Sequence, residues 1–499
     1  MNHALILNVH QMGISRPSGA HRIASYLREN SWDVEVIDYV NDMTYEVLEE
    51  IIRMRITTKT VFVGFSCYFS HWTDNTEKLS GWIKSTYPNI KIVYGGQSKS
   101  QFNCKNIDYY IHGYGEKAIT ALTSSLLESN GVGSVAFDPL YFGQKKVISA
   151  NESYPSYPMT SLRISYEDRD HIRPYEWLSV EFGRGCKFEC PFCNYPILGV
   201  KSDHTRSAED FEIEMRENYE RWGVKHYYVA DETFNDSSEK IIKFSEVIKK
   251  LNFQPYFVGY IRPDLLVARH QDWEPMAQLG FFGQYYGIES FNHPTMKIIG
   301  KGMHPDRLQD GLLQAREYFR GQGLYRGTIS LMVGLPYETS DTLEKTFNWI
   351  ENNWQRENAC CFPLEIPVDP KFDILSKMSK DYGGYGYRMA NQQVDTQELD
   401  EFYQVRIQHG ITNIIWENDH MNYIEAIKIA GEFKSRYLMN PEKSNFAMMW
   451  TLGAHASSLY SLKHVIESKK ESSPYPRGWH QRHIENYINK KITSVEKSG

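Results

Sequence analysis

Long apolar runs are missing from this 499-residue chain. None approaches the ~20 residues needed to cross a bilayer, and the opening Met1-Asn-His-Ala-Leu-Ile6 has no secretory leader pattern. A cytoplasmic protein with no membrane partner is expected. Cysteine is scarce: seven residues at irregular spacing exclude a disulfide framework. A surplus of positive charge is also absent. Fifty-five Lys and Arg stand against 62 Asp and Glu, which argues against nucleic acid as an obligatory, charge-driven partner. Aromatic residues are plentiful at 14%, with 34 tyrosines, and well-packed cores account for them without a special pocket. The length suits about three domains, each able to bury a core.

Three of the seven cysteines are gathered in Glu181-Phe-Gly-Arg-Gly-Cys-Lys-Phe-Glu-Cys-Pro-Phe-Cys193. Cys186, Cys190 and Cys193 form a C-x₃-C-x₂-C array behind a short apolar strand, Trp177 to Phe182. The loop between them carries Lys187, Glu189 and Pro191, so these are not separate core residues. Thiolates clustered in a reduced protein hold a metal or an iron–sulfur cluster. Zinc asks for a fourth Cys or His nearby, and His204 has no companion. Three ligands suit a [4Fe–4S] cluster with one iron open to a small molecule. Cys67, Cys104, Cys360 and Cys361 lie in or beside apolar segments and read as buried thiols, so a single cluster is expected.

This spacing, with Phe192 before the last cysteine, resembles the radical S-adenosylmethionine (SAM) superfamily. The resemblance implies that the open iron binds the amino and carboxylate groups of SAM. It implies too that an electron from the cluster splits SAM into methionine and a 5′-deoxyadenosyl radical.

Residues 1 to about 140 alternate apolar strands with helical patterns. Strands are expected at Ala4–Val9, Val34–Tyr39, Thr60–Cys67, Lys91–Tyr94 and Asp108–His112. Helices are expected near Gly19–Asn30, Tyr45–Ile56, Thr73–Thr86 and Glu116–Glu128. Near-continuous apolar strands separated by helices predict a parallel, doubly wound sheet, whose ligands sit at the C-terminal strand ends. Those ends carry Asn8, Ser66, Gly95, Gly96, Gly113 and Tyr114. Gly113-Tyr-Gly-Glu-Lys-Ala118 fits a dinucleotide fingerprint, but it follows the last strand rather than the first. The order of segments instead looks like the cobalamin-binding domain of cobalamin-dependent radical SAM enzymes. Arg16-Pro-Ser-Gly19, Gly64-Phe-Ser66, Gly95-Gly96 and Gly113-Tyr-Gly-Glu116 carry that likeness. Glycines there let a bulky corrin approach the backbone. Asn8-x-His10-x-x-Gly13 imitates a cobalt-ligating loop with Asn for Asp, and a loop histidine without a metal role is the preferred reading.

Residues 141–175, with Pro155, Pro158 and Pro174, read as a linker. From 176 to 370 a strand–helix unit recurs. Strands are expected at Trp177–Phe182, His226–Ala230, Tyr256–Ile261, Gly283–Ile288, Gly327–Val333 and Phe362–Ile366. Ser207-x-x-Asp210 and Asp236-x-x-Glu239 look like capping boxes. Six units predict a partial (β/α)₆ barrel of the TIM type, with its chemistry at the C-terminal strand ends. Polar residues gather at those ends: Asp231 and Glu232, Arg262, Glu289 and Ser290, and Gly334. By resemblance, the acids at 231–232 receive the SAM amino group, and Arg262 suits a carboxylate. Glu289 and Ser290 would face ribose or methionine, and the Gly334 backbone would flank adenine. For Glu338 a helix cap or salt bridge is the better reading.

Residues 371–499 read as a mostly helical domain that closes the substrate cavity, with a glycine–tyrosine loop from Lys380 to Tyr387. Helices are expected at Glu398–Trp416, His420–Tyr437 and Asn445–Ile466. His480 and His483 read as surface residues. The resemblance implies a cobalamin-dependent methyltransferase acting on an unactivated carbon. Its cofactors would be a [4Fe–4S] cluster, SAM and cobalamin, its substrate a small molecule or peptide, and its electron donor a flavodoxin or ferredoxin. Two alternatives stay open: a non-methylating rearrangement or cyclisation, and an N-terminal domain that binds no corrin.

Overall fold

The computed structural model describes residues 1–9, 15–40, 43–67, 73–96, 104–128, 135–138, 146–157, 159, 163–174, 176–193, 204–323, 325–354, 358–366, 376–390, 415–437 and 479–494. The first strand, β1 (His3–Val9), is buried at all seven positions, and its side chains divide between two cores. Leu5, Leu7 and Val9 join one cluster, Ala4 and Ile6 the other. That alternation is what a strand covered on both faces requires. A short β2 (Ser15–Arg16) leads to the helix Ser18–Glu29, followed by β3 (Asp33–Ile37), β4 (Thr60–Cys67), β5 (Lys91–Gly96), β6 (Tyr109–His112) and β7 (Lys146–Ser149). Together they form an all-parallel sheet in the order β3-β1-β4-β5-β6-β7, the doubly wound form that was expected.

β7 corrects the linker reading. Lys146-Val-Ile-Ser149 pairs with β6 and completes the sheet, because Val147 and Ile148 bury one on each of its faces. The pattern is too short to register as a period in sequence. β2 is a second departure, since it leaves the first sheet and pairs with the edge of the second.

The second sheet contains β8 (Trp177–Val180), β11 (His226–Val229), β12 (Tyr256–Ile261), β13 (Phe281–Glu289), β14 (Arg326–Val333) and β15 (Asn358–Pro363). All are parallel, and β2 is added at one edge. Between β8 and β11 a two-strand ribbon pairs β9 (Gly183–Arg184) with β10 (His204–Thr205). Leu178, Val180, Tyr227, Val229 and Phe257 pack outward against the helices, while Trp177, Val258, Phe282, Tyr285 and Cys360 fill the interior. β15 starts four residues earlier than expected. The adjacent cysteines explain the shift, because Cys360 points to the interior and Cys361 to the helical layer.

Ser207 caps its helix as expected, accepting from Asp210 N at 3.0 Å. In the other anticipated box Ser237 is the cap, and Asp236 instead meets Lys240 at 2.6 Å.

Residues after 376 do not behave as one closing domain. Lys377–Lys380, the loop to Met389 and the helix Tyr423–Tyr437 pack on the barrel, where Arg388–Met389 pairs with Trp416–Glu417. The last helix, Trp479–Thr493, returns to the first sheet. Tyr487 is buried there, its hydroxyl accepting from Asp38 N at 2.9 Å, and Lys491 Nζ meets Glu35 at 2.7 Å. Of the helix expected at Glu398–Trp416, residues 398–414 lie outside the described residues and Trp416 is in a two-residue strand; the helix expected at 445–466 also lies outside them, as do His10, Gly13 and the side chains of His480 and His483. Among the described residues no helix is long and apolar enough to cross a membrane.

Candidate functional site

The C-terminal ends of the two sheets face each other across one cleft. One wall comes from the first sheet: Asn8, Ser66, Gly95, Gly96, Gly113 and Tyr114 line it, with Gly19 and Arg22 of the helix Ser18–Glu29. The opposite wall is Ser179, Glu181, Arg184, Tyr228, Ala230 and Glu232, at or beyond the ends of β8 and β11. The free space is about 1320 Å³, solvent mouth included. Asn8, Ser66, Gly95, Gly96, Gly113 and Tyr114, the strand-end residues singled out from sequence, all reach this cleft.

The glycines differ in kind. A Cβ on Gly96 would lie 1.9 Å from the Cys67 carbonyl oxygen, so glycine is required for strand approach. Gly113 has φ of +102°, and its Cβ would meet the Asn151 side chain at 2.7 Å. A Cβ on Gly95 would touch nothing within 4 Å, so its missing side chain leaves open space. That open floor fits a broad, flat ligand.

The cysteine loop leaves β9 at the barrel end. Cys186, Cys190 and Cys193 form no disulfide and are half-buried, with Cys193 N donating to Cys190 O at 3.0 Å. Burial pushes the Cys186 thiol up, partly offset by the Phe188 backbone and by Thr233, whose hydroxyl lies 3.9 Å from its sulfur. Arg262 brings a guanidinium N–H 3.7 Å from Cys190 Sγ and stacks 3.8 Å from the Phe188 ring. Among the described residues no three Cys, His, Asp or Glu side chains are close enough to share one metal ion. Sulfurs bound to a single zinc at ~2.3 Å would be nearly in contact. Three thiolates in one loop are the donor set that an iron–sulfur cluster takes. His204 offers no fourth ligand: it sits in β10 with its ring 4.8 Å from Tyr157. Phe192 packs against the barrel core and fixes the loop.

Of the strand-end residues, Glu232 reaches the cleft, and Arg262 borders the cysteine loop. Arg262 is held by Asp264 at 2.9 Å and by the Gly300 carbonyl at 2.7 Å. Glu289 sits at φ +68° and pairs with Lys301 at 3.0 Å. Asp231 turns inward instead. It accepts from Phe182 N at 2.7 Å, lies 3.5 Å from Lys240, and burial pushes it up to about 7. Ser290 is buried and accepts from Asn292 N at 3.0 Å. Gly334 lies under Trp416, and its carbonyl accepts from Tyr387 Oη at 2.7 Å. Glu338 is buried and accepts from the Gly334 and Leu335 N–H groups at 3.2 Å each. With no cation beside it, burial pushes it up to about 8. The helix that follows is capped by Thr339, so Glu338 is neither the expected helix cap nor a salt-bridge partner but ties the turn that starts at Gly334.

Sequence reading missed Glu181 and Arg184. Glu181 bonds Arg184 at 3.0 Å and Arg22 at 2.7 Å, and these cations hold it down to about 2 despite burial. The signal was present: two opposite charges three apart, at the end of an apolar strand and just before the first cysteine.

A partial parallel barrel bearing three thiols at its mouth, facing a glycine-floored doubly wound domain, is the architecture of an enzyme that joins an iron–sulfur site to a second large cofactor. The radical SAM superfamily description matches residues 180–350, and the B12 binding domain description matches residues 5–123. Residues 180–350 thus carry a radical SAM domain and residues 5–123 a B12-binding domain. The chain is similar to an uncharacterized methyltransferase of Pyrococcus horikoshii, 24% identical over 345 residues, covering 67% of this chain and 72% of that one. It is also similar to the hopanoid C-3 methylase of Methylococcus capsulatus, 19% identical over 294 residues, 57% of this chain and 55% of that one. Its fold matches that of TsrM from Kitasatospora setae, a radical S-adenosylmethionine methyltransferase solved with cobalamin and a [4Fe–4S] cluster. The TM-score is 0.63 at 13% identity, with 99% of this chain and 100% of that chain covered.

Proposed function

We propose that this protein is a cobalamin-dependent methyltransferase that cleaves SAM and methylates an unactivated carbon of a small molecule or peptide. The observation that carries the reading is the shared cleft: the glycine floor of one sheet faces the cysteine-bearing end of the other. When bound, the cluster and corrin supply one-electron cleavage of SAM and carriage of a methyl group. The chain's own task is to dock them so that the reacting atoms converge.

Cys186, Cys190 and Cys193 would hold the cluster through their thiolates, and the cluster would supply the electron that cleaves SAM. Glu232 takes the SAM amino group and Arg262 its carboxylate, each through a charge-assisted hydrogen bond. Glu289, steadied by Lys301, faces the ribose or methionine portion, with Ser290 fixing the turn behind it. The Gly334 backbone borders adenine. Asp231 serves indirectly, since its bond to Phe182 N ties the end of β11 to β8 and presents Glu232. Ser66, Gly95, Gly96, Gly113 and Tyr114 seat the corrin. Domain limits of 1–140 and 176–370 go with this reading, with β7 and the last helix joining the first and residues 377–390 and 415–437 packing on the second. So do a cytoplasmic location and a flavodoxin or ferredoxin as electron donor. Sulfur insertion is disfavoured, because Cys67 and Cys104 are buried in the first domain and cannot complete a second three-cysteine cluster.

The test is anaerobic reconstitution with SAM, hydroxocobalamin and reductant. Both 5′-deoxyadenosine and S-adenosylhomocysteine should form, with a substrate gain of one methyl. Deoxyadenosine without S-adenosylhomocysteine would reject methyl transfer in favour of rearrangement or cyclisation. Cys190→Ala should lose iron and deoxyadenosine formation together while still binding hydroxocobalamin.

A further inference from the structure

Arg184 stands two residues before the first cysteine, yet its partners come from both domains. Its Nη2 donates to Glu116 Oε1 at 2.5 Å and to Glu181 Oε2 at 3.1 Å, its Nε to Glu181 Oε1 at 3.0 Å, and its Nη1 to Ser156 O at 3.0 Å. The guanidinium also lies 4.0 Å from the centre of the Tyr114 ring. Arg184 and Glu116 are both 2% or less exposed. Glu116 opens the helix Glu116–Leu127, directly after the Gly113-Tyr-Gly115 turn that lines the cleft.

We propose that Arg184 is a positioning residue that couples the two cofactor sites, so that corrin seated against Tyr114 and SAM bound at the cysteine loop strengthen each other's binding. The inference rests on reading the cleft as the corrin site. Its physical basis is a cation with two carboxylate partners, one on each domain. Movement of the Gly113–Glu116 turn changes how Arg184 is shared between Glu116 and Glu181, and two residues later the chain becomes a cluster ligand. A buried, forked guanidinium transmits such a displacement because its bonds are directional and no water can replace them. Where both ligands favour the same arrangement of this shared cation, each raises affinity for the other, and by an equal factor.

The test measures SAM affinity of the cluster-loaded protein by equilibrium dialysis, with and without saturating hydroxocobalamin, and then cobalamin affinity with and without SAM. The wild type should show the same factor in both directions, about tenfold. Arg184→Lys, which keeps the charge but loses the fork and the ring stack, should bring both factors close to one while iron content stays unchanged. Glu116→Ala, made on the other domain and leaving the cysteine loop intact, should do the same; it decides the matter if Arg184→Lys fails to assemble a cluster. Equal affinities in the wild type with and without the second ligand would overturn the coupling but leave the methyltransferase reading standing. So would variants that keep the wild-type factor. A wild type that takes up no hydroxocobalamin would overturn both.

Discussion

Glu338 shows how a carboxyl group can be structural and neutral in the same place. It is buried, it accepts from Gly334 N and Leu335 N, and burial pushes it up to about 8. The folded state therefore keeps a proton that the unfolded chain releases near pH 4. Its contribution to stability is complete below that value and is lost as pH rises through 8. Glu338→Gln keeps an acceptor for the Gly334 and Leu335 N–H groups and carries no charge. The variant should match the wild type in thermal midpoint at pH 5, then gain on it progressively up to pH 9, by roughly 2–4 kcal/mol. Parallel thermal unfolding curves across that range check this, and a constant difference would show that Glu338 is ionised in the fold. The same scale shows what sequence could reveal. The cysteine triad was legible because its residue types have few other uses in a polar loop. Asp231 and Glu232 are neighbours with nothing in sequence to separate them, and only three-dimensional packing sends one to Phe182 N and the other to the cleft.

At the scale of elements, the strands most easily read were those buried on both faces. Thr60–Cys67 and Tyr256–Ile261 coincide with expectation, because continuous apolar runs bounded by polar turns leave little freedom of placement. β7 and β2 were not legible: two to four residues carry no period, and their pairing is decided by what lies beside them in space. The final helix is a third case. No helix was expected at Trp479–Thr493, and nothing in its sequence names the domain on which it packs. Lys491 is 1% exposed, with Glu35, the Val36 carbonyl and the Arg169 carbonyl around its ammonium group. Lys491→Met removes that buried cation and leaves Glu35 with Arg55, 3.3 Å away, as its remaining charge partner. A loss of about 3 kcal/mol is expected, seen as a lower denaturation midpoint of the first domain with the iron content unaffected. A midpoint unchanged in Lys491→Met would mean that the last helix does not dock as described.

For the whole molecule, the decisive arrangement is that two sheets of different origin direct their C-terminal ends at one space. Most strands of each sheet were legible alone; their mutual facing is set by packing between the halves, which the pattern of neither sheet carries. Ion pairs Arg22–Glu181 and Arg184–Glu116 and the crossing of β2 to the second sheet hold the two halves in that register. Breaking one such buried pair costs about 3–5 kcal/mol, enough to keep the halves from drifting apart. The central claim is that the floor at Gly95 is where the corrin lies. A spectrophotometric titration with hydroxocobalamin tests it, comparing the wild type with Gly95→Leu, whose side chain enters open space and leaves packing intact. The account predicts one equivalent bound by the wild type and affinity at least about a hundredfold weaker in the variant, with its unfolding midpoint unchanged. Equal binding by the two proteins, or none by the wild type, would contradict it.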